Sequence, residues 1–562
     1  MVLHGARIMR PWAGGARTPM PRLALTTLVV LSAVAAGTTS CADAVPPSER
    51  AYVHLMPRTH WPAASTSVLT GSASDVIAEG MAQKLLAFAP AVVVANANRP
   101  ADLATAATRA EQAHAPLLLT SARAGAGAGS TPAAGAEAGS GARTAAETAS
   151  GPEAGPESEQ TGGTATPVSV VLRAEISALH PRAVLAVGMA RNELSARMPG
   201  IRVVTDPAML PAIGAPAPLR HVVILVHRGD SSPATIAASA TARISGAQVV
   251  TVRGFDPRAD PAVIAALAAA RPTHVLAIGA GFGPVDRLAS RVAVAVTGVQ
   301  LPGGGQIVFP MHRVVALYGH PGAAALGALG QQNLHASIVR AREAAAPYRA
   351  LSSVPVVPAM EVIATVAQGA PGKNRSYSYE STVASLRPWV KRATAAGMYV
   401  VLDLQPGRAN LLSQAKRYEQ LLKRPNVGLA LDPEWKLQPG QLPLRQIGSV
   451  GITEVNSVIS WLADLTGHYH LPQKLLVLHQ FRLSMIRGER RLDVRHDDLA
   501  IVIHMDGQGS PTVKQQTWEA ITKAAPQGVY FGWKNFYAKD HPMLSPPQTM
   551  ARIPQPVMVS YQ

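Results

Sequence analysis

Short apolar runs alternate with segments of helical spacing along the C-terminal half of the chain, and this alternation predicts a parallel α/β fold. Eight apolar runs have the length and composition of buried strands: 313–319, 360–366, 398–405, 426–434, 474–481, 499–506, 528–533 and 556–561. Most are separated by segments with apolar residues three and four positions apart, as in amphipathic helices. About 250 residues is the usual size of a (β/α)₈ barrel. We therefore predict a TIM-type barrel over residues 312–562.

The N-terminal half shows the same alternation in two successive blocks, residues 65–195 and 196–290. Each block has strand and helix patterns in the same succession, which predicts two Rossmann-like α/β repeats. Residues 123–166 interrupt the first block with Ala, Gly, Ser, Glu and Thr. Such a segment buries too little apolar surface to offset its ordering entropy, so we predict a disordered insertion. Residues 41–64 are predicted to be a tether and 291–311 a linker.

Four motifs of the first block have a recognisable order and spacing once the insertion is left out: Ala91-Val-Val-Val-Ala95, Pro100-Ala-Asp-Leu-Ala104, Ala115-Pro-Leu-Leu-Leu-Thr120 and Val184-Leu-Ala-Val-Gly188. This order resembles the type 2 cell-wall-binding repeat of Gram-positive surface proteins. The resemblance implies non-covalent attachment to an anionic cell-wall polymer. The alternative is a pair of α/β layers that bind no ligand.

The first 40 residues have the pattern of a signal peptide. Four arginines precede an apolar run, Leu23–Ala36, and small residues follow before Cys41. The run is shorter than the roughly 20 residues that a membrane-spanning helix needs, so a secretory signal is predicted. The end of this segment, Thr38-Thr39-Ser40-Cys41, resembles a bacterial lipoprotein signal. That resemblance implies lipidation of Cys41 and an extracytoplasmic protein anchored to the membrane and facing the cell wall. A plain secretory signal is the alternative.

Charge and cysteine content restrict the classes of partner and site. The formal net charge is +17, which favours anionic partners. No Lys/Arg-rich run is interleaved with aromatic residues, so we expect no nucleic acid partner. A single cysteine excludes an internal disulfide framework and zinc sites built from several thiolates. The expected partners are therefore an anionic cell-wall polymer or polysaccharide and, through Cys41, the membrane.

Polar residues follow the predicted barrel strands, where TIM barrels carry their chemistry. Residues two apart on a strand point the same way. Four pairs have this spacing, and two single residues end other strands: Tyr318/His320, Asp403/Gln405, Asp432/Glu434, His504/Asp506, His479 and Lys534. An aspartate at a strand exit can instead cap the next helix. Glu361 is placed within a strand, where it would neutralise a buried base.

The predicted architecture and its carboxylates resemble extracellular glycoside-hydrolase barrels, which implies a barrel that binds or hydrolyses polysaccharide. Glycosidic cleavage uses an acid and a second carboxylate. We assign Glu434 as the acid, because Trp435 beside it would raise its pKa, with Asp403 and Asp506 as candidate partners. Substrate contacts are expected from the remaining candidates: Asp432, Tyr318, His320, Gln405, Trp435, His479, His504, Trp533 and Lys534.

Two other functions remain open from the sequence. One is a non-catalytic cell-wall-binding scaffold. The other is a metal-dependent hydrolase, for which histidines and aspartates at the strand exits offer mixed nitrogen and oxygen ligands. The motifs typical of zinc hydrolases, two histidines one apart or His-Glu-x-x-His, do not occur at these exits. We therefore expect neither a metal nor a cofactor.

Overall fold

A computed structural model describes residues 55–71, 73–120 and 170–562 of the chain. The signal sequence, Cys41, residues 41–54 of the tether and the insertion at 123–166 lie outside these described residues. Within the described ranges, no helix is long and apolar enough to cross a membrane.

The described N-terminal residues form two parallel four-stranded sheets, an antiparallel pair of β1 and β3, and the helices that cover them. The strands are β1 (Arg58–Thr59), β2 (Thr66–Leu69), β3 (Leu86–Phe88), β4 (Ala91–Asn96), β5 (Leu117–Thr120), β6 (Ala183–Val187), β7 (Val203–Val204), β8 (Val222–His227), β9 (Gln248–Val252) and β10 (His274–Ile278). The helices are α1 (Ser74–Leu85), α2 (Pro100–Gln112), α3 (Val170–Leu179), α4 (Arg191–Arg197), α5 (Pro233–Ile244), α6 (Pro261–Ala270) and α7 (Val285–Val296).

Two four-stranded sheets, with orders β5-β4-β6-β7 and β9-β8-β10-β2, are parallel throughout. One edge strand of each sheet comes from the other predicted block. Strand β7, which follows residue 195, joins the first sheet, and β2, which precedes it, joins the second. Strand β4 shows why the central strands are continuously apolar. Val92 and Val94 pack into one core cluster, whereas Val93 faces another. Both faces of the strand are therefore buried, as in sheets covered by helices on both sides.

The described C-terminal residues form a barrel with an outer layer of helices. The strands are β11 (Arg313–Gly319), β12 (Val356–Ala367), β13 (Ser378–Glu380), β14 (Tyr399–Leu404), β15 (Val427–Leu431), β16 (Val450–Gly451), β17 (Lys474–Gln480), β18 (Ile486–Arg487), β19 (Leu499–Met505), β20 (Tyr530–Asn535) and β21 (Met558–Tyr561). The helices are α8 (Leu334–Ala345), α9 (Val383–Ala395), α10 (Leu411–Arg417), α11 (Glu419–Leu422), α12 (Ile452–His468), α13 (Pro511–Ala524) and α14 (Pro546–Met550).

Eight of these strands form a closed parallel barrel. Its order is β11-β12-β14-β15-β17-β19-β20-β21, and β21 pairs with β11 to close it. All eight correspond to the apolar runs recognised in the sequence, so the predicted barrel is confirmed. Strand β13 pairs antiparallel with β12 outside the closed ring.

The barrel interior changes from apolar to polar toward the carboxyl ends of its strands. Val401 and Val477 belong to an apolar cluster inside the barrel. Asp403 and His479 lie two residues further along the same strands, and because side chains alternate they face the same way. Both are fully buried. The apolar layer therefore forms the floor under a polar upper layer.

The N-terminal sheets contact the barrel at the amino ends of its strands. Asp497, just before β19, accepts hydrogen bonds from Arg258 (2.6 Å) and Arg291 (2.7 Å). The segment predicted to be a linker is packed against the barrel floor, where Val308 and Phe309 are almost fully buried. These contacts use the end of the barrel opposite to the carboxyl ends of the strands.

Candidate functional site

A cavity of about 260 Å³ opens at the carboxyl ends of the barrel strands. Seven of the predicted site residues line it: Tyr318, Gln405, Asp432, Glu434, Trp435, Asp506 and Lys534. Other lining residues were not anticipated, among them Leu326, Ile363, Phe481, Gln508, Phe536 and Lys539. Most of the latter lie in loops that follow strands, where the alternation of side chains along a strand gives no guidance.

Asp432 and Glu434 reach the cavity from a turn and not from a strand. Strand β15 ends at Leu431, and Pro433–Trp435 form a single 3₁₀ turn. The prediction that the strand continues to residue 434 was wrong, and a reason is that Pro433 has no amide to continue the ladder. The Asp432 side chain caps nothing, and its buried Oδ1 has no hydrogen-bond partner. Burial, followed by the charge of Glu434, raises the pKa of Asp432 well above its usual range.

Glu434 is set up to hold a proton near neutral pH. Burial raises its pKa from the ordinary 4.5 to about 7, with a further contribution from the negative charge of Asp506. Trp435 follows it in the same turn and lines the same cavity. A carboxylic acid with this pKa can donate a proton at physiological pH.

His479 is an ion-paired histidine in the polar upper layer of the barrel. Its Nε2 lies 2.8 Å from Oε1 of Glu361, and its Nδ1 lies 3.2 Å from Oδ2 of Asp506. Burial opposes a charge on the imidazole, but Glu361 and Asp506 outweigh it and raise the pKa of His479 well above its usual range. Burial would likewise raise the pKa of Asp506, yet the contact with His479 brings it below the ordinary value. Asp506 is therefore an ionised carboxylate.

Asp403 lies in the polar upper layer of the barrel and is held by a tyrosine. Its Oδ2 accepts a hydrogen bond from the Tyr318 hydroxyl at 2.9 Å, and Gln405 Nε2 donates to the same hydroxyl at 3.3 Å. His479 Nε2 lies 3.8 Å from Asp403 Oδ1. Burial is the main cause that raises the pKa of Asp403 to about 6. Asp403 is thus linked through Tyr318 to the cavity wall.

Four predicted substrate contacts do not line the cavity: His320, His479, His504 and Trp533. His320 bonds Ser381 Oγ at 3.2 Å and follows Gly319, the last residue of β11, whose φ is +148°. His504 bonds Ser560 Oγ at 2.7 Å, and burial together with the nearby charge of His479 lowers its pKa well below the usual range. Trp533 lies on the outer side of its strand.

The packing of Trp533 against Trp518 explains why Trp533 does not line the cavity. Trp518 belongs to α13, and the centroids of the two rings are 5.5 Å apart. Both side chains are fully buried in one apolar cluster between the barrel and this helix. Trp533 therefore contributes to packing and not to the cavity wall.

The alternative that the aspartates cap helices is not supported by the geometry. Helix α10, which follows Asp403, is capped by Asn410, and α13, which follows Asp506, is capped by Ser510. Among the described residues, no lysine or arginine nitrogen lies within 4.0 Å of Asp403, Asp432, Glu434 or Asp506. Within the described residues, these carboxylates therefore neither cap the following helices nor pair with a lysine or an arginine.

The donor set for a metal ion is also weak. Among residues 55–71, 73–120 and 170–562, no group of three or more His, Cys, Asp or Glu side chains is arranged to hold a metal ion. His479 is enclosed by two carboxylates, and His504 is bonded to a serine.

Comparisons with models of protein families, with curated proteins and with solved structures found no match. The class that the fold and the site define is a (β/α)₈-barrel protein with a carboxylate-lined cavity at the carboxyl ends of its strands.

Proposed function

We propose that the barrel hydrolyses glycosidic bonds, with Glu434 as the general acid and Asp506 as the ionised carboxylate. The observation that carries the proposal is that both side chains line one cavity while their surroundings drive their pKa values apart. Two carboxyl groups with opposite shifts are the arrangement that assigns acid and base in such sites. Glycoside hydrolysis needs this combination.

Each group then has a defined part in the reaction. Glu434 donates its proton to the leaving oxygen as the bond to the anomeric carbon breaks. Asp506 either attacks that carbon or takes a proton from the attacking water. His479 keeps Asp506 ionised, because its positive charge lies between Asp506 and Glu361. Trp435 supplies an aromatic surface in the same cavity, suited to packing against a sugar ring.

For the N-terminal sheets we propose attachment to an anionic wall polymer, and for Cys41 a lipid anchor. The motifs that resemble wall-binding repeats support the first proposal, as does the common strand order of the two sheets. The lipoprotein-like sequence around Cys41 supports the second. A Cys41→Ser protein should be released from the membrane fraction of expressing cells, and unchanged retention would contradict the anchor.

The hydrolase proposal is tested with purified cell-wall polysaccharide fractions and an assay for new reducing ends. Wild type should release products from at least one fraction. Glu434→Gln and Asp506→Asn should each lower the rate by about 10²–10⁴-fold, the usual contribution of such groups. Glu343→Gln is the matched control, since Glu343 is exposed on α8.

Two results would contradict the proposal in different ways. Full activity of Glu434→Gln would reject the assigned acid. No product from any fraction with wild type would reject hydrolysis and favour a non-catalytic, wall-binding lipoprotein. Sedimentation of the protein with insoluble wall material, measured in the same experiment, detects that second function.

A further inference from the structure

Two lysines line the cavity beside the carboxylates. Lys534 comes from β20 and its side chain is 3 % exposed, whereas Lys539 lies in the exposed loop that follows. Nζ of Lys534 lies 3.5 Å from the centroid of the Tyr318 ring. Among the described residues, neither ammonium group has a carboxylate oxygen within 4.0 Å or donates a hydrogen bond. Both ammonium groups therefore contact aromatic rings, Tyr318 and Phe536, but their hydrogen-bond donors have no acceptor among the described residues.

Lys534 differs in this respect from the other buried lysines of the described chain. Lys436 bonds Glu454 at 2.9 Å, and Lys474 donates to two backbone carbonyls at 2.8 and 2.9 Å. Lys514 pairs with Asp540 and also donates to the carbonyl of Lys534 at 2.6 Å. Burying an ammonium group is costly unless it is paired. An ammonium group at a cavity wall that contacts only aromatic rings keeps its hydrogen-bond donors available for a ligand.

The carboxylates of the site do not supply the missing partner. Asp506 is in contact with His479, and Asp403 accepts its hydrogen bond from Tyr318. The charge of Lys534 favours the ionised forms of these groups and of Glu434, but within the described part of the chain it forms no ion pair with any of them. An ammonium offers three donors and forms its strongest hydrogen bonds with anionic oxygens.

We propose that Lys534 and Lys539 bind an anionic substituent, a carboxylate or a phosphate, on the sugar that occupies the cavity. This inference rests on the proposed function for the idea that the ligand is a sugar. It adds the substrate class: an acidic or phosphorylated glycan in place of a neutral one. Lys534 holds the anionic oxygens at the wall, and Lys539 closes over them from the loop.

Binding of three matched sugars to the full wild-type chain tests the proposal by calorimetry at low ionic strength. The probes are glucose, glucuronate and glucose 6-phosphate, which share one ring and differ in the anionic group. We expect at least one anionic probe to bind tenfold or more tightly than glucose. Glucuronate and glucose 6-phosphate separate a carboxylate from a phosphate as the preferred group. Equal binding of all three would overturn the proposal.

Variants locate the binding group. Lys534→Met should reduce the preference for the anionic probe to about twofold or less, and Lys539→Ala should reduce it severalfold. The second variant changes an exposed side chain, so it tests the proposal even if Lys534→Met fails to fold. Lys523→Ala, an exposed lysine in the last turn of α13, is the control and should keep the full preference. An unchanged preference in Lys539→Ala and in folded Lys534→Met would contradict the assignment.

The reducing-end assay run in parallel separates this inference from the proposed function. A preference for anionic probes without hydrolysis of any polysaccharide supports the lysine site and contradicts the hydrolase. Hydrolysis of a neutral polysaccharide without an anionic preference contradicts the lysine site alone.

Discussion

Replacement of Glu434 by glutamine should stabilise the folded protein above pH 7 while it removes the proposed acid. In the folded protein the pKa of Glu434 is about 7, against the ordinary 4.5. Between pH 4.5 and about pH 7, Glu434 keeps a proton in the folded protein that it has lost in the unfolded chain. The free energy of unfolding therefore falls as the pH rises through this range. A pKa difference of 1 corresponds to about 1.36 kcal/mol, which gives a total of about 3 kcal/mol as an upper value.

Glutamine has the same shape and no charge, so it avoids this cost. At pH 8.5 the free energy of unfolding of Glu434→Gln should exceed that of wild type by about 2–3 kcal/mol, and at pH 4 the two proteins should be nearly equal. Urea-induced unfolding followed by tryptophan fluorescence at both pH values measures the difference. Glu343→Gln, on the exposed face of α8, should match wild type at both. A Glu434→Gln protein that is less stable than wild type at pH 8.5, or whose gain is the same at pH 4, would refute the reasoning.

Three further substitutions test other parts of the structure. His479→Gln leaves two buried carboxylates without their counter-charge and should lower the free energy of unfolding by about 3–5 kcal/mol at pH 7 in urea unfolding; a loss under 1 kcal/mol would contradict an imidazolium at this position. Trp518→Ala opens a cavity between α13 and the barrel and should cost about 3–5 kcal/mol in the same assay, whereas an exposed tryptophan would cost little. Asp497→Asn removes the ion pairs of Asp497 with Arg258 and Arg291 and should cost about 1–2 kcal/mol, allowing for solvent screening. The pKa of Asp497 is lowered below the ordinary 3.8, since the two arginines outweigh the effect of burial, so calorimetry should show this loss at pH 7 and a progressively smaller loss as the pH falls below 3.8; a loss that does not shrink with falling pH would argue against an ion pair.

The barrel was predictable because its strands are short apolar runs at regular intervals. The β11 strand was placed at its observed ends, residues 313–319. The residues that line the cavity were predicted less completely, because the direction of a side chain after a strand depends on the turn that follows it. His320 directly follows β11 but bonds Ser381 and does not line the cavity, whereas Pro433 ends β15 early and its neighbours still line the cavity. Neither outcome follows from the alternation of side chains along a strand.

One error could have been avoided from the sequence. Trp533 and Lys534 are adjacent on β20, and adjacent side chains on a strand point to opposite faces. Only one of them can face the barrel interior, and the structure places Lys534 there. The ion pair of His479, in contrast, could not have been predicted from the sequence. His479 and Glu361 are 118 residues apart, so their contact exists only once the barrel closes. The sequence placed Glu361 within a strand but did not identify its partner.

Strand pairing in the N-terminal half was likewise not predictable from the sequence. The apolar pattern did not predict that β2 pairs in the sheet of the second block and β7 in the sheet of the first block. Strands β2 and β7 have only four and two residues. Segments so short carry little periodicity, and their pairing depends on long-range contacts.

The pH dependence of polysaccharide hydrolysis tests the assignment of Glu434 and Asp506 most directly. If Glu434 must be protonated and Asp506 ionised, kcat/KM should follow a bell-shaped curve. Its alkaline limb should fall near pH 7, the pKa of Glu434, and its acidic limb should lie below the ordinary aspartate range. An activity that continues to rise from pH 7 to pH 9 would contradict the account.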